Sequence, residues 1–575
     1  MTNPSSDDLP PDLVVFGARI TTNSPEQDTA SALAVVGQRI VAVGDDEGIR
    51  RLAGPATMTI DAGGRRVVPG LNDSHMHTVR GGLMYNLELR WDGVGSLERG
   101  LTMIRHQATR TPSGQWVRVM GGWSPWQFSE RRMPTTSELT EAAPTTPVLV
   151  LYGYSKVIIN RAGVKALGIA SDSDLADSPD YALGDDGCIV TGNTAVYAVI
   201  AKLPNLDRDD ERESSTRLFL RELNRFGLTS TVDAGERNTS YPDDYRSMAG
   251  LAGEPGFAIR LSNFLFAQRP GSEEDFWERT THDEKPDTAD AALDARYRLR
   301  GAGEVLAWAA HDYENFLAAR PELSQDALDH FEAVTRILAE HDWPIRVHAT
   351  YDQTIGHFLD VFERVFPEVG YTSRWLLDHA ETIGPRNIER LKALGGGIAV
   401  QNRLSFSGEY FLERYGSEAA AAVQPLRALL DAGIPMGAGT DATRPASYNP
   451  WISLYWMITG RTVGGTQVAD PSSRLTREEA LHAYTVGSAW LSGEEHRKGR
   501  IAAGQDADFA ILSEDYMTVP TEAIPTIESV LTVTGGAVVY TAPPFSDSLP
   551  VPPIAVLPTW SPVVDVAGFS RRADR

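Results

Sequence analysis

Cysteine is almost absent from this chain. Cys188 stands alone among 575 residues, so no intrachain disulfide can form and a reducing compartment is expected. Positive charge is also scarce: 53 Lys and Arg face 77 Asp and Glu, a formal net charge of −24. That balance lacks the basic face a nucleic-acid binder needs and disfavours docking on an anionic membrane surface. No apolar run is long enough to span a bilayer. Met1 to Asp12 is polar and acidic with three prolines, and does not show the basic start and apolar core of a signal peptide. A cytoplasmic protein is the expectation. There is no P-loop, and no G-x-G-x-x-G follows an early strand, so neither phosphate cradle nor dinucleotide site is indicated. What remains is ordinary globular composition, 42% hydrophobic and 23% charged, on a chain long enough to bury a large core without staples.

The two ends read as β structure. Asp12–Thr22 and Ala32–Val43 are rich in β-branched residues, with a tight turn available at Gly37-Gln38 inside the second. Gly499–Leu512 and Ile527–Tyr540 read the same way at the far end. One small β-sandwich assembled from both termini is expected, with residues 1–69 and 498–575 as its two parts. The middle, residues 70–497, alternates helices and strands. Ser324–His341 places Ala327, Leu328, Phe331, Val334, Ile337 and Leu338 on one helical stripe. The strands Pro344–His348, Trp375–His379, Gly397–Gln401 and Ile434–Ala438 are separated by helical segments near Ile355–Phe366, Pro385–Leu394 and Val423–Ala432. Repeated β-α-β units mean a parallel sheet, and at this length a distorted (β/α)₈ barrel is expected. A stretch at about 83–203, rich in tryptophan, reads as an insertion into the barrel or a cap over it.

Val67–Thr78 (VVPGLNDSHMHT) carries the strongest local signal. Residues two apart on a strand face the same way, so His75 and His77 can aim two imidazoles at one metal ion. His348 ends the strand PIRVH, His379 ends WLLDH, and Asp441 follows IPMGA in GAGTDAT. Each polar group sits where a parallel strand stops, and the carboxyl ends of barrel strands converge on one site. Asp73, two residues before His75, is a candidate to orient an imidazole from behind or to cap the turn.

PGLNDSHMH, RVHATYD, LLDHAE, GAGTDA and the terminal GRIAAGQDADFAIL resemble the amidohydrolase superfamily over nearly the whole chain, and more narrowly its amidohydrolase-3 or YtcJ-like branch, which includes N-substituted formamide deformylases. Thr146–Ile169, with its Asn160, resembles that branch's insert. The resemblance implies a distorted barrel beside a two-ended β-sandwich. It implies metal ligation by His75, His77, His348, His379 and Asp441, and a divalent metal, zinc the expected one, one or two per chain. The family usually has a carboxylated lysine on the fourth strand; Glu304, in Leu299–Leu306, stands where that lysine is expected and can bridge two metals through its own carboxylate. Asp312 is a second, weaker carboxylate candidate. Further departures are Ser155, where many relatives have a histidine, and HATYDQTI, which keeps Asp352 but not the usual glycine and arginine.

The implied reaction is hydrolysis of a non-peptide C–N (amide-type) bond of a small molecule. Asp441 would act as general base and His379 would help polarise the carbonyl. Trp123, Trp126, Asp352 and Gln401 are candidate substrate contacts, while Trp451, Tyr455 and Trp456 read as core or pocket wall. A neutral or modestly charged small-molecule substrate is expected, with no nucleic acid and no membrane; many barrels of this kind form homodimers. At this stage a deaminase of a small heterocycle, or a non-catalytic binding protein on the same scaffold, stays open.

Overall fold

The computed structural model describes residues 10–171, 174, 181–235, 237, 239–254, 256–286, 296–313, 316–317 and 319–564. Eight strands run side by side in chain order: Leu71–Met76, Leu228–Asp233, Arg260–Leu265, Tyr297–Ala302, Ile345–Ala349, Trp375–His379, Gly397–Gln401 and Met436–Gly439. Every neighbouring pair is parallel. The sheet curls round until its first and last strands meet. Just past the last strand, Asp441 N–H donates to the His75 carbonyl at 2.8 Å, and His77 N–H donates to Ala442 at 3.0 Å. Asp73 accepts from the Thr440 hydroxyl at 2.7 Å and from its backbone N–H. Gly439 makes this seam feasible: a Cβ there would lie 2.6 Å from both Asp73 Oδ1 and the His75 nitrogen. The distorted (β/α)₈ barrel expected from the sequence is therefore present.

Helices cover the barrel through the stripes that the 3.6-residue period predicts. Gln325–Glu340 starts at Ser324, whose hydroxyl accepts from Ala327 N–H, and buries Ala327, Phe331, Val334 and Leu338. Phe331 stacks on Phe358 of the next helix, Asp352–Val369, at 4.1 Å between ring centroids. Burying such a ring is worth about 1.5–3 kcal/mol. Leu328 and Ile337 lie at the stripe's edges, partly buried against the same core.

Both chain ends build a separate two-layer β structure. One sheet runs in the order Ala537–Thr541, Ser529–Thr534, Phe509–Leu512, Arg66–Pro69, Arg19–Ser24, Gln27–Ala30, and the other Arg39–Gly44, Ala32–Val36, Leu13–Phe16, Met58–Asp61. Leu13, Ile20, Leu33, Val67, Phe509 and Val533 share one core between them. The turn at Gly37-Gln38 falls between two strands, as its sequence indicates. Gly499–Leu512 departs from its expected strand: only Phe509–Leu512 is extended, because Gly499 and Gly504 take left-handed backbone conformations. Among the described residues no helix is long and apolar enough to cross a membrane.

Between the helices Thr78–Met84 and Asp209–Arg225 lies a six-stranded sheet, ordered Tyr181–Gly184, Gly187–Thr191, Lys156–Asn160, Val148–Tyr152, Val117–Met120, Glu88–Leu89. The sequence marks this stretch only as an insertion or cap; the sheet itself is a finding of the structure. Asn160 is one of its pins. Its amide oxygen accepts from Val148 and Gly163 N–H, and its nitrogen donates to the Ala143 and Thr146 carbonyls.

Candidate active site

The carboxyl ends of the barrel strands bring together every residue named above as a metal ligand. Glu304, two residues beyond the fourth strand, stands at the centre. Its Oε2 lies 2.9 Å from His348 Nδ1, 3.0 Å from His379 Nε2 and 3.8 Å from His75 Nε2, while Oε1 lies 3.8 Å from His77 Nε2. Asp441 Oδ1 is 3.0 Å from His77 Nε2 and 3.5 Å from His75 Nε2. All six side chains are buried. His379 and Asp441 hold positive φ angles of 75° and 59°. Such backbone costs about 1–3 kcal/mol and survives only where the surroundings over-determine it. Here it turns both side chains inward at the ends of their strands.

The tautomers are set from behind. His77 Nδ1 meets the Gly235 carbonyl, which can only accept, so the proton sits on Nδ1 and the Nε2 lone pair faces Asp441. His75 Nδ1 lies 2.9 Å from both Asp378 Oδ1 and Arg346 Nη2, and its Nε2 is buried with no hydrogen-bond partner. His348 Nε2 faces Asp312 at 3.3 Å, which leaves Nδ1 for Glu304. Imidazole lone pairs and carboxylate oxygens thus point at one another across about 3–4 Å, an arrangement of acceptors that a divalent cation resolves. Three overlapping sets, His75–His379–Asp441, His75–His77–Glu304 and Glu304–His348–His379, have the compactness of metal sites. The donor set fits such an ion.

The electrostatics agree. Burial works against a proton on His75, yet Asp378 and Glu304 push it up to about 10; burial likewise opposes a proton on His348, which Asp312 and Glu304 push up to about 9. These rings sit in a field that calls for positive charge. Burial pushes Asp441 and Glu304 up, but the facing imidazoles hold both below the ordinary carboxylate range. His379 goes the other way: burial, then Arg403 and His348, drive it well below its usual value and keep it neutral, with one ring nitrogen free to ligate.

Asp73 corrects one reading. It bonds the backbone of His75 and Thr440, not an imidazole, and closes the barrel; burial raises it to about 7 despite those bonds. The carboxylates behind the imidazoles are Asp378 and Asp312. Asp378 escaped sequence reading, although a charged residue inside the buried strand WLLDH is an available signal. Asp312 is a supporting group: it also accepts from Thr350 and Tyr351 N–H.

A cleft of about 720 Å³ opens over Glu304 and Asp441, walled by Tyr154, Tyr197, Arg237, Tyr313 and Arg403. None of the four expected substrate contacts lines it. Trp123 is fully buried in the insert core, packed on Trp91 and Phe128, with its N–H on the Leu151 carbonyl. Trp126 packs edge-on against Tyr410 at 4.5 Å. Asp352 accepts from Gly384 N–H and Asn387 and so anchors a loop. Gln401 is buried at the end of its strand, outside the wall. Trp451 and Trp456 are core, bonded to the Phe226 carbonyl and to Gln424. Ser155 does line the cleft, on the turn joining two strands of the insert.

Comparison with known proteins agrees with this architecture. The chain is 25% identical to the N-substituted formamide deformylase of Arthrobacter pascens, over 92% of this chain and 98% of that one. It is 25% identical to the amidohydrolase YtcJ of Bacillus subtilis (strain 168), over 91% and 98%. An uncharacterised metal-dependent hydrolase of Pyrococcus horikoshii shares the fold, with a TM-score of 0.63 at 20% identity over 89% of this chain and 99% of that one. The model of the amidohydrolase family matches residues 58–540, and the chain belongs to that family.

Proposed function

We propose that this protein is a metal-dependent hydrolase that cleaves a non-peptide C–N (amide-type) bond of a small molecule. The observation that carries the reading is the convergence of imidazole lone pairs from His75, His77, His348 and His379 on the carboxylates of Glu304 and Asp441. His75, His77 and Asp441 would hold one divalent ion and His348 with His379 a second, Glu304 lying between the two groups. Nitrogen and oxygen donors of this kind suit zinc. Bound there, the ion supplies acidified water and polarisation of a carbonyl oxygen.

The chain's own groups do the rest. Asp441, at the cleft floor with its carboxyl ionised, takes a proton from the attacking water and returns it to the leaving nitrogen. His379 has its Nε2 on Glu304, so its role in this scheme is that of a ligand; Arg403, a cleft-lining guanidinium whose Nε is engaged by Glu381, adds positive charge beside the carbonyl oxygen. The Arthrobacter pascens relative is by name a deformylase of N-substituted formamides, which supports an amide-type substrate.

The test is a hydrolysis screen of formamides, acetamides and cyclic imides with protein of measured metal content. Amine plus carboxylate should appear, and chelation should abolish the reaction. Ammonia as the released product would mean deamination instead. Protein that neither retains metal nor hydrolyses any of the panel would overturn the reading.

A further inference from the structure

Arg237 follows the second barrel strand by a few residues. The Gly235 carbonyl of the same loop accepts a hydrogen bond from His77 Nδ1, so the loop is tied to the metal-ligand cluster. The Arg237 guanidinium stands 4.8 Å from the centre of the Tyr197 ring and 4.9 Å from that of Trp308, held between two aromatic faces. It lines the cleft together with Glu304 and Asp441. No carboxylate among the described residues pairs with it. This is unusual in a chain with 77 acidic and 53 basic residues, where acids to pair with are plentiful.

The other arginine lining the cleft contrasts with it. Arg403 is engaged by Glu381 at 2.7 Å and by Thr350 at 3.1 Å. The cleft carboxylates Glu304 and Asp441 face imidazoles. Arg237 is therefore a positioned cation with no acidic complement among the described residues. Planar guanidinium groups pair best with carboxylates, through two parallel N–H···O bonds, and stacking on aromatic rings fixes the fork in advance. Asn193, Ser155 and Ser407 add hydrogen-bonding groups to the same wall.

We infer that the substrate carries a carboxylate, gripped by Arg237 while its amide-type bond lies over Glu304 and Asp441. The substrate class is then an N-acylated compound with a free acid group. This rests on the hydrolase reading for the second half of the statement only, because the acid grip is a binding property.

The experiment measures binding and turnover separately on metal-loaded protein. The probes are N-formyl and N-acetyl amino acids, each as the free acid and as its primary amide. At least one acid should bind tenfold or more tightly than its amide by calorimetry, and Arg237→Met should erase that preference while metal content stays the same. Arg237→Lys, which keeps the charge but loses the fork, should retain only part of it and guards against a folding failure of the first variant. If no acid in the panel out-binds its amide, or if Arg237→Met weakens acid and amide alike, the inference falls. Acids that bind through Arg237 without being cleaved would leave the inference standing and count against the hydrolase reading instead.

Discussion

Asp378 Oδ1 lies 2.9 Å from His75 Nδ1, while Arg346 holds the same carboxylate through Nε at 2.8 Å. Burial alone would push Asp378 up, but Arg346 and His75 bring it down to about 2, so it is an acceptor throughout the working range. Asp378 and the Nη2 of Arg346 both hold His75 at Nδ1, at 2.9 Å each, and leave Nε2 facing the ligand cluster. Asp378→Asn keeps the shape but offers an N–H to His75, favouring the tautomer whose Nε2 is protonated. Metal affinity should drop about ten- to a hundredfold, measured by competition with a chelator of known affinity. An unchanged affinity would show that Asp378 has no hold on the site.

Glu304 is the only carboxylate shown within 4 Å of all four clustered imidazoles among the described residues. Glu304→Ala removes both oxygens and leaves His348 and His379 without the group they face. Metal content per chain should fall and turnover should drop on the order of a hundredfold or more. Elemental analysis beside an activity assay reads both. Wild-type metal content in the variant would reduce Glu304 to a structural role.

The barrel was legible because its signals are local and repeated. Ser324 and the Phe331 stripe mark a helix, and WLLDH and IPMGA mark buried parallel strands. The ligand histidines were legible because each ends a strand, and barrel topology converts strand ends into neighbours. Cleft contacts were not, since a wall depends on how loops fold back. Trp123 reads as pocket lining by composition, yet its ring fills the insert core, where large aromatic area is best spent. Arg237 carries no sequence signal, because its meaning comes from Tyr197 and Trp308, 40 residues back and 71 residues on.

Asp441→Asn separates chemistry from binding. The amide keeps an oxygen toward His77 and His75 but cannot take a proton from water. Most of the metal should be retained, while kcat should fall about a hundred- to ten-thousandfold. Rates near wild type at full metal occupancy would remove Asp441 from the role of base.

The opposite end of the barrel gives a stability prediction independent of any metal. Glu494 and Lys498 meet at 2.6 Å, both buried, with Ser230 accepting from Lys498 Nζ and Ser262 donating to Glu494. Arg298 lies 3.5 Å from the other Glu494 oxygen. Burial pushes Glu494 up, but Lys498 and Arg298 bring it down to about 2; burial lowers Lys498, and Glu494 only partly offsets that. Because the folded carboxyl titrates below its unfolded value of about 4.3, its stabilising effect is present above that pH and is lost as pH falls toward 2. Glu494→Gln strands Lys498 as a buried charge and should destabilise by about 3–5 kcal/mol at pH 7. The gap between variant and wild type should narrow as pH drops below about 4, where Glu494 takes up a proton in the unfolded chain but not yet in the folded one. Thermal unfolding of metal-stripped protein at pH 7 and pH 3.5 tests this; a gap that stays constant would mean the pair is not what holds this end of the barrel together.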